Sequence, residues 1–116
     1  PEDITFAQPY PRALKRTAIL RPVNGSPYDA PRWMPDGERI LVTRSVPLGD
    51  GRARSDLFEW QVKSGRVRRI TKGAGIQLAD PTPDGQRAVA QQCGAGVCSL
   101  LIVELASGAR RVLKQG

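Results

Sequence analysis

Cys93 and Cys98 are the only cysteines of the 116-residue chain, spaced C-x4-C with Gly94 and Gly96 between them. Two thiols so close can act as a redox pair, supply half of a metal site, or close a disulfide across a turn. A zinc site would need further Cys or His, and the chain has no His and no third Cys. The expected state is a disulfide pinning a short hairpin, which an exported compartment favours, ahead of a pair of free structural thiols. The missing His also removes Ser-His-Asp and Cys-His catalysis from this chain. Ser45, Ser55 and Ser64 have no His or positioned Lys partner in the sequence, so no nucleophile is expected among them.

The acidic residues offer less chemistry. Asp50 and Asp56 flank Gly51, a weak calcium signal without the Asp-x-Asp-x-Asp-Gly order of a calcium hand. Asp36 and Asp84 each sit inside a Pro-Asp-Gly run, where capping a turn is the expected role rather than acid–base work. No metal, cofactor or catalytic residue is expected.

Basic residues outnumber acidic ones by 18 to 11, giving a net charge of +7. They cluster as Arg66, Arg68, Arg69 with Lys72, and as Arg110, Arg111 with Lys114. A basic stripe can track nucleic acid. Here it recurs at equivalent places in two strands, and no aromatics interleave for base stacking. Charge that protects an exposed sheet edge is the expected role, and no nucleic-acid partner is expected. Trp33 and Trp60 fall where packing against a neighbouring sheet is expected. No apolar run approaches the roughly 20 residues of a membrane helix.

The elements that position these residues repeat. Pro35-Asp36-Gly37 recurs 48 residues on as Pro83-Asp84-Gly85, each followed by a polar residue, an Arg and an apolar run. Ser64-Gly65 recurs 43 residues on as Ser107-Gly108. At that spacing Phe58, Trp60 and Val62 match Leu101, Val103 and Leu105. The difference falls in residues 46–55 of the first copy, against a shorter 92–98 in the second. Loops absorb such length changes.

Pro-Asp-Gly between apolar segments reads as a hairpin turn. Ile40-Leu41-Val42 is apolar on consecutive positions, as in a strand covered on both faces. Phe58, Trp60 and Val62 alternate with polar residues. Each copy therefore reads as four short strands, at 30–34, 39–45, 56–62 and 66–71, then at 77–82, 87–92, 99–105 and 109–114. No segment has an apolar stripe at helical spacing, and Pro9-Tyr10-Pro11 argues against a helix near the start. Ala18 to Val23 reads as the outer strand of a preceding unit, followed by an Asn24-Gly25 turn.

A four-stranded repeat of about 40–45 residues is the mark of a β-propeller blade. The fold class expected is all-β: two consecutive four-stranded antiparallel blades of a partial propeller. Residues 1–27 form an N-terminal segment, 28–73 one blade and 74–116 the next. The chain opens on Pro1 without Met, as expected of a processed protein or an excised piece.

Trp33-Met34-Pro35-Asp36-Gly37-Glu38-Arg39-Ile40, Asp56-Leu57-Phe58, Ser64-Gly65 and Arg69-Ile70-Thr71 together resemble the TolB-like β-propeller repeat. Its pattern is Trp-Ser-Pro-Asp-Gly, an apolar strand, Asp-Leu-aromatic, a Gly turn and Arg-Leu-Thr. The resemblance spans about residues 28–116. The second copy departs from it, with Pro81 for the Trp, Ser99 for the Asp and Lys114 for the Thr. The resemblance implies a non-catalytic protein-interaction scaffold of a bacterial envelope, periplasmic or otherwise exported, with a protein partner. The alternative it implies is a propeller that gates substrate entry in a larger peptidase of the prolyl oligopeptidase type.

Loop 46–55, with Val46, Leu48, Asp50, Arg52 and Arg54, is the longest insertion and the expected contact surface. Blades stack face to face, so an end blade leaves an apolar face to be covered, by further blades of a parent chain or by other copies. Leu101, Val103 and Leu105 are expected to form that uncovered face, while Ile40 to Val42 and Val89 are expected to be covered.

Overall fold

The computed structural model describes residues 4–7, 16–23 and 25–115. Ten strands follow in chain order: β1 (Ile4–Ala7), β2 (Arg16–Leu20), β3 (Tyr28–Trp33), β4 (Arg39–Pro47), β5 (Ala53–Gln61), β6 (Arg66–Arg69), β7 (Ile76–Pro81), β8 (Arg87–Gly94), β9 (Val97–Glu104) and β10 (Arg110–Gln115). Among the described residues there is no helix. Strands β3-β4-β5-β6 form one four-stranded sheet and β7-β8-β9-β10 a second, each paired antiparallel in sequence order. The all-β reading and both meanders hold.

The turns repeat atom for atom. Met34 N–H donates to Arg39 O and Gly37 N–H to Met34 O; Thr82 N–H donates to Arg87 O and Gly85 N–H to Thr82 O. At the other hairpin of each sheet, Gly65 N–H donates to Gln61 O and Gly108 N–H to Glu104 O. Gly37 and Gly85 have φ of 69° and 70°, a left-handed backbone that glycine adopts without a Cβ penalty. Asp36 accepts from the Glu38 N–H at 2.9 Å, and Asp84 accepts from the Gln86 N–H at 3.0 Å. Both carboxylates thus cap turns, as the sequence predicts.

The two sheets pack face to face. Met34, Leu41, Leu57 and Ile70 of the first meet Ile76, Ala79, Ala88, Ala90, Leu101, Val103 and Leu105 of the second. The innermost strands are also tied by an ion pair, Arg32 Nε to Asp80 Oδ1 at 2.9 Å, between equivalent positions of the two copies. On the far face of the first sheet, Ile40, Val42, Phe58, Trp60 and Tyr28 form a second cluster with Leu20 of β2. Trp60 is buried within this cluster, and the half-buried Trp33 packs against it.

Strand β2 pairs antiparallel with β1 in a two-stranded sheet. It ends at Leu20, earlier than the 18–23 strand read from sequence. Val23 and Ser26 form an isolated bridge with reciprocal bonds of 3.0 and 2.8 Å, which supports the turn expected there. Pro9-Tyr10-Pro11 and Asn24 lie outside the described residues.

One face assignment is corrected. Leu101, Val103 and Leu105 are buried against the first sheet, not uncovered. The period-two alternation is right, but the outward side carries the other residues. Val89 is 37% and Leu100 is 43% exposed, so Val89 is not covered on both faces. Their equivalents in the first sheet are Leu41 and Leu57, both at 0% and both pressed against the second sheet.

Candidate functional site

Each sheet has two ends. One carries the Pro-Asp-Gly and Ser-Gly turns. There Arg39 bridges Asp36 at 2.8 Å and Glu59 at 2.9 Å, while Arg68 reaches Glu59 at 3.5 Å and donates to Leu105 O at 2.9 Å. These four charges are paired, and a cavity of about 370 Å³ is bordered by Arg39, Glu59 and Arg68 of that network. The other end carries the β4–β5 hairpin, the β8–β9 hairpin and the crossover from β6 to β7.

The predicted contact loop is shorter than residues 46–55. Val46 pairs with Arg54 and Pro47 with Ala53 as strand residues, so the turn itself is 48–52. Val46 is half-buried and packs against the second hydrophobic cluster. Leu48 is exposed and closes the turn by donating its N–H to Arg52 O at 2.9 Å. Asp50 accepts from the Arg52 N–H at 3.0 Å and bridges its guanidinium at 2.7 Å. The Arg52 side chain holds the Asp50 carboxyl below its ordinary value. Arg54 reaches away from this turn, to a cavity of about 260 Å³ bordered by Gln92, Cys93, Gly94, Val97 and Ser99. The five residues therefore do not form one patch: Leu48, Asp50 and Arg52 make the tip, Val46 packs against the second cluster, and Arg54 faces the neighbouring hairpin.

Cys93 and Cys98 are cross-strand partners and form a disulfide with S–S 2.04 Å. The bond staples the tip of the β8–β9 hairpin beside Arg54. No cluster of three or more Cys, His, Asp or Glu able to hold a metal occurs among the described residues.

Asp56, read from sequence as a faint calcium signal, has a different occupation. It is fully buried. Its Oδ1 accepts from Thr71 Oγ1 at 2.7 Å and Ala74 N–H at 2.9 Å; its Oδ2 accepts from Gly73 N–H and the Arg69 guanidinium, both at 2.8 Å. Burial pushes the carboxyl up, but the Ala74 and Gly73 amides, the Thr71 hydroxyl and Arg69 outweigh it and hold the group below its ordinary value. Thr71 Oγ1 passes the link on by accepting from Leu57 N–H at 3.0 Å. Gln92 Nε2 donates to Ala74 O at 2.7 Å from the second sheet. The crossover is thus gripped from both sheets. Arg69, assigned from sequence to edge protection, is one of the grips; the exposed Arg110, Arg111 and Lys114 of β10 fit the edge role. The signal for the Asp56 centre was present in sequence as Asp56, Arg69 and Thr71 of the repeat pattern, but which of them meet depends on the crossover.

A further cavity of about 400 Å³ opens at this same end, between β3, the base of the β4–β5 hairpin and β7. Its wall is polar, with Ser26, Asp29, Ser45, Ser55 and Gln77, and includes Arg44. Sequence reasoning did not single out Arg44. An isolated Arg in a strand carries no spacing signal.

With this geometry in hand, a solved structure of TolB from Acinetobacter baumannii matches the chain with a TM-score of 0.62. The match covers 90% of this chain at 18% identity. The fold is that of consecutive β-propeller blades. The chain spans 24% of the length of that TolB. No family model matches the sequence, and no curated protein does. The likeness to TolB therefore concerns architecture. No helix among the described residues is long and apolar enough to cross a membrane.

Proposed function

We propose that the chain is a non-catalytic protein-interaction scaffold, two blades (28–73 and 74–116) of a TolB-like propeller from a bacterial envelope protein. The observation that carries this reading is the construction of one end. Asp56 of β5 and Gln92 of β8 both hold the crossover at Ala74, and the Cys93–Cys98 disulfide pins the tip of its own hairpin beside it. A rigid scaffold that presents loops side by side is a binding surface in kind. The disulfide supports an exported compartment.

The outward face of the second sheet, with Val89 and Leu100, repeats positions that the first sheet buries against its neighbour. That equivalence supports coverage by a further blade. No observation favours the peptidase-gating alternative.

Photo-crosslinking tests the reading. The chain is exported to a bacterial periplasm with a photoreactive residue at Leu48 or Val97, or at Lys63 or Ala106 of the opposite end. A discrete protein adduct from the first pair and none from the second is expected. Equal adducts from both ends, or none from either, would overturn the assignment of the binding end.

A further inference from the structure

Strands β3 and β7 break register at equivalent places, β3 between Asp29 and Arg32 and β7 between Ile76 and Leu78. A bulge re-aims the side chains beside it. Asp29 and Gln77 stand at these two bulges, at the 48-residue spacing of the repeat. Ala30, which follows Asp29, has φ of 49°, whereas Leu78, which follows Gln77, is not left-handed. A left-handed backbone is disfavoured for a residue with a Cβ. Asp29 holds it in place, its Oδ1 accepting from the Ala30 N–H at 2.9 Å. Strain of this kind gathers at ligand sites.

Both residues wall the cavity of about 400 Å³ at the hairpin end, together with Ser45 and Ser55, a cross-strand pair. Among the described residues no cation pairs with the Asp29 carboxylate, and the Ser45 and Ser55 hydroxyls and the Gln77 amide have no hydrogen-bond partner. The Arg44 guanidinium does not supply one, since it lies on the far face of β4 over Phe58 and Tyr28. One carboxylate and three neutral oxygens are thus left open to an occupant.

That set decides the ligand class. A lysine ammonium has a single charge, three rotatable donors and no acceptor, which matches one carboxylate beside neutral oxygens. Calcium takes about 6–8 oxygen ligands, carboxylates foremost, and no cluster of three or more Cys, His, Asp or Glu occurs among the described residues. Pro27 and Ala53 add an apolar stretch of wall, against which a methylene stem packs. The stem favours a lysine side chain over a chain's N-terminal amine.

We propose that this cavity binds a lysine side chain of a partner segment, with Asp29 holding the ammonium and Ser45, Ser55 and Gln77 accepting its remaining N–H groups. The proposal rests on the scaffold reading above and names the chemistry of the partner's contact.

The test is a titration of the 15N-labelled 116-residue chain, followed by the amides of Ala30, Ser45, Ser55 and Gln77 and by the Gln77 side-chain NH2. The probes are acetyl-Gly-Lys-Gly-amide, the same peptide with its lysine Nζ acetylated, Gly-Gly-Gly-amide with a free N-terminus, and calcium chloride, at fixed ionic strength. The lysine peptide is expected to shift these resonances saturably and to bind at least about ten-fold more tightly than the acetylated and triglycine peptides, as loss of a charge-assisted contact or of the stem implies. Asp29→Asn keeps an oxygen for the Ala30 N–H and loses the charge, so it is expected to fold and to weaken the lysine peptide by about ten-fold. Lys63→Gln, at the opposite end, is expected to change nothing.

Equal response to the lysine and acetyl-lysine peptides, triglycine amide binding as tightly as the lysine peptide, calcium binding more tightly than any peptide, or no shift around Asp29 would each overturn the proposal. Because the readout is local to Asp29, a failure here is distinct from a failure of the crosslinking test, which reports any partner at this end.

Discussion

Replacing Asp56 with Asn is the sharpest perturbation the structure offers. The side chain keeps its shape but loses one acceptor oxygen and the charge. With the remaining oxygen kept on Thr71 and Ala74, the new NH2 faces the Gly73 N–H and the Arg69 guanidinium, both donors now 2.8 Å from Oδ2. Hydrogen bonds to a charged group are worth about 1.5–3 kcal/mol each, and breaking a buried ion pair from one side costs about 3–5 kcal/mol. Asp56→Asn should therefore cost about 3–5 kcal/mol, a large share of the roughly 5–15 kcal/mol that holds a typical domain folded. For a domain of this size that lowers the melting midpoint by about 10–20 °C.

The assay is chemical and thermal unfolding at neutral pH, repeated down an acid series. Asp56 is held below the ordinary carboxyl value of 3.8 by its hydrogen bonds. Its contribution is full above the unfolded-state value and is lost as pH falls through the lower folded-state value. The parent should thus lose more stability across that acid window than Asp56→Asn, and the gap between them should close. A neutral-pH gap under about 1 kcal/mol, or a gap unchanged into strong acid, would refute the account of the crossover.

Other consequences are as direct. Gly108 has φ of 79°, and a Cβ there would overlap the Ile70 carbonyl oxygen, whereas the equivalent Gly65, at 75°, has open space. Gly108→Ala should therefore destabilise well beyond the ~1 kcal/mol expected of Gly65→Ala, as unfolding curves would show. Leu100→Lys should leave stability nearly unchanged and reduce self-association in light scattering, while Leu101→Lys, one residue on, should prevent folding. Equal effects would reverse the face assignment. Reduction of Cys93–Cys98, which encloses a sequence separation of 5, should cost about 2 kcal/mol by the chain-entropy relation. Mass spectrometry without reductant should find the chain lighter by two hydrogens.

The fold was legible because local signals agreed. Both Pro-Asp-Gly turns, both Ser-Gly turns and the alternation of Phe58, Trp60 and Val62 point to the same hairpins, and strand bounds differ from the sequence reading by a few residues. The direction of a face was not legible. Alternation tells that Leu100 and Leu101 point opposite ways, but which side meets the neighbour depends on the crossover at residues 70–75. The Asp56 centre was hidden for the same reason, since its donors lie 13 to 18 residues away.

Strand β10 has a mechanical consequence. It is exposed along its whole length and hangs on β9 alone, with its register broken between Val112 and Lys114. Tension applied through the C-terminal end would load its ladder one bond at a time and peel it. Tension between the two sheets would load Arg32–Asp80, Arg68–Leu105 O and the Asp56 grip together. The outer strand would yield first and act as a slack tether, leaving the paired hairpin tips in place while the end of the chain is pulled.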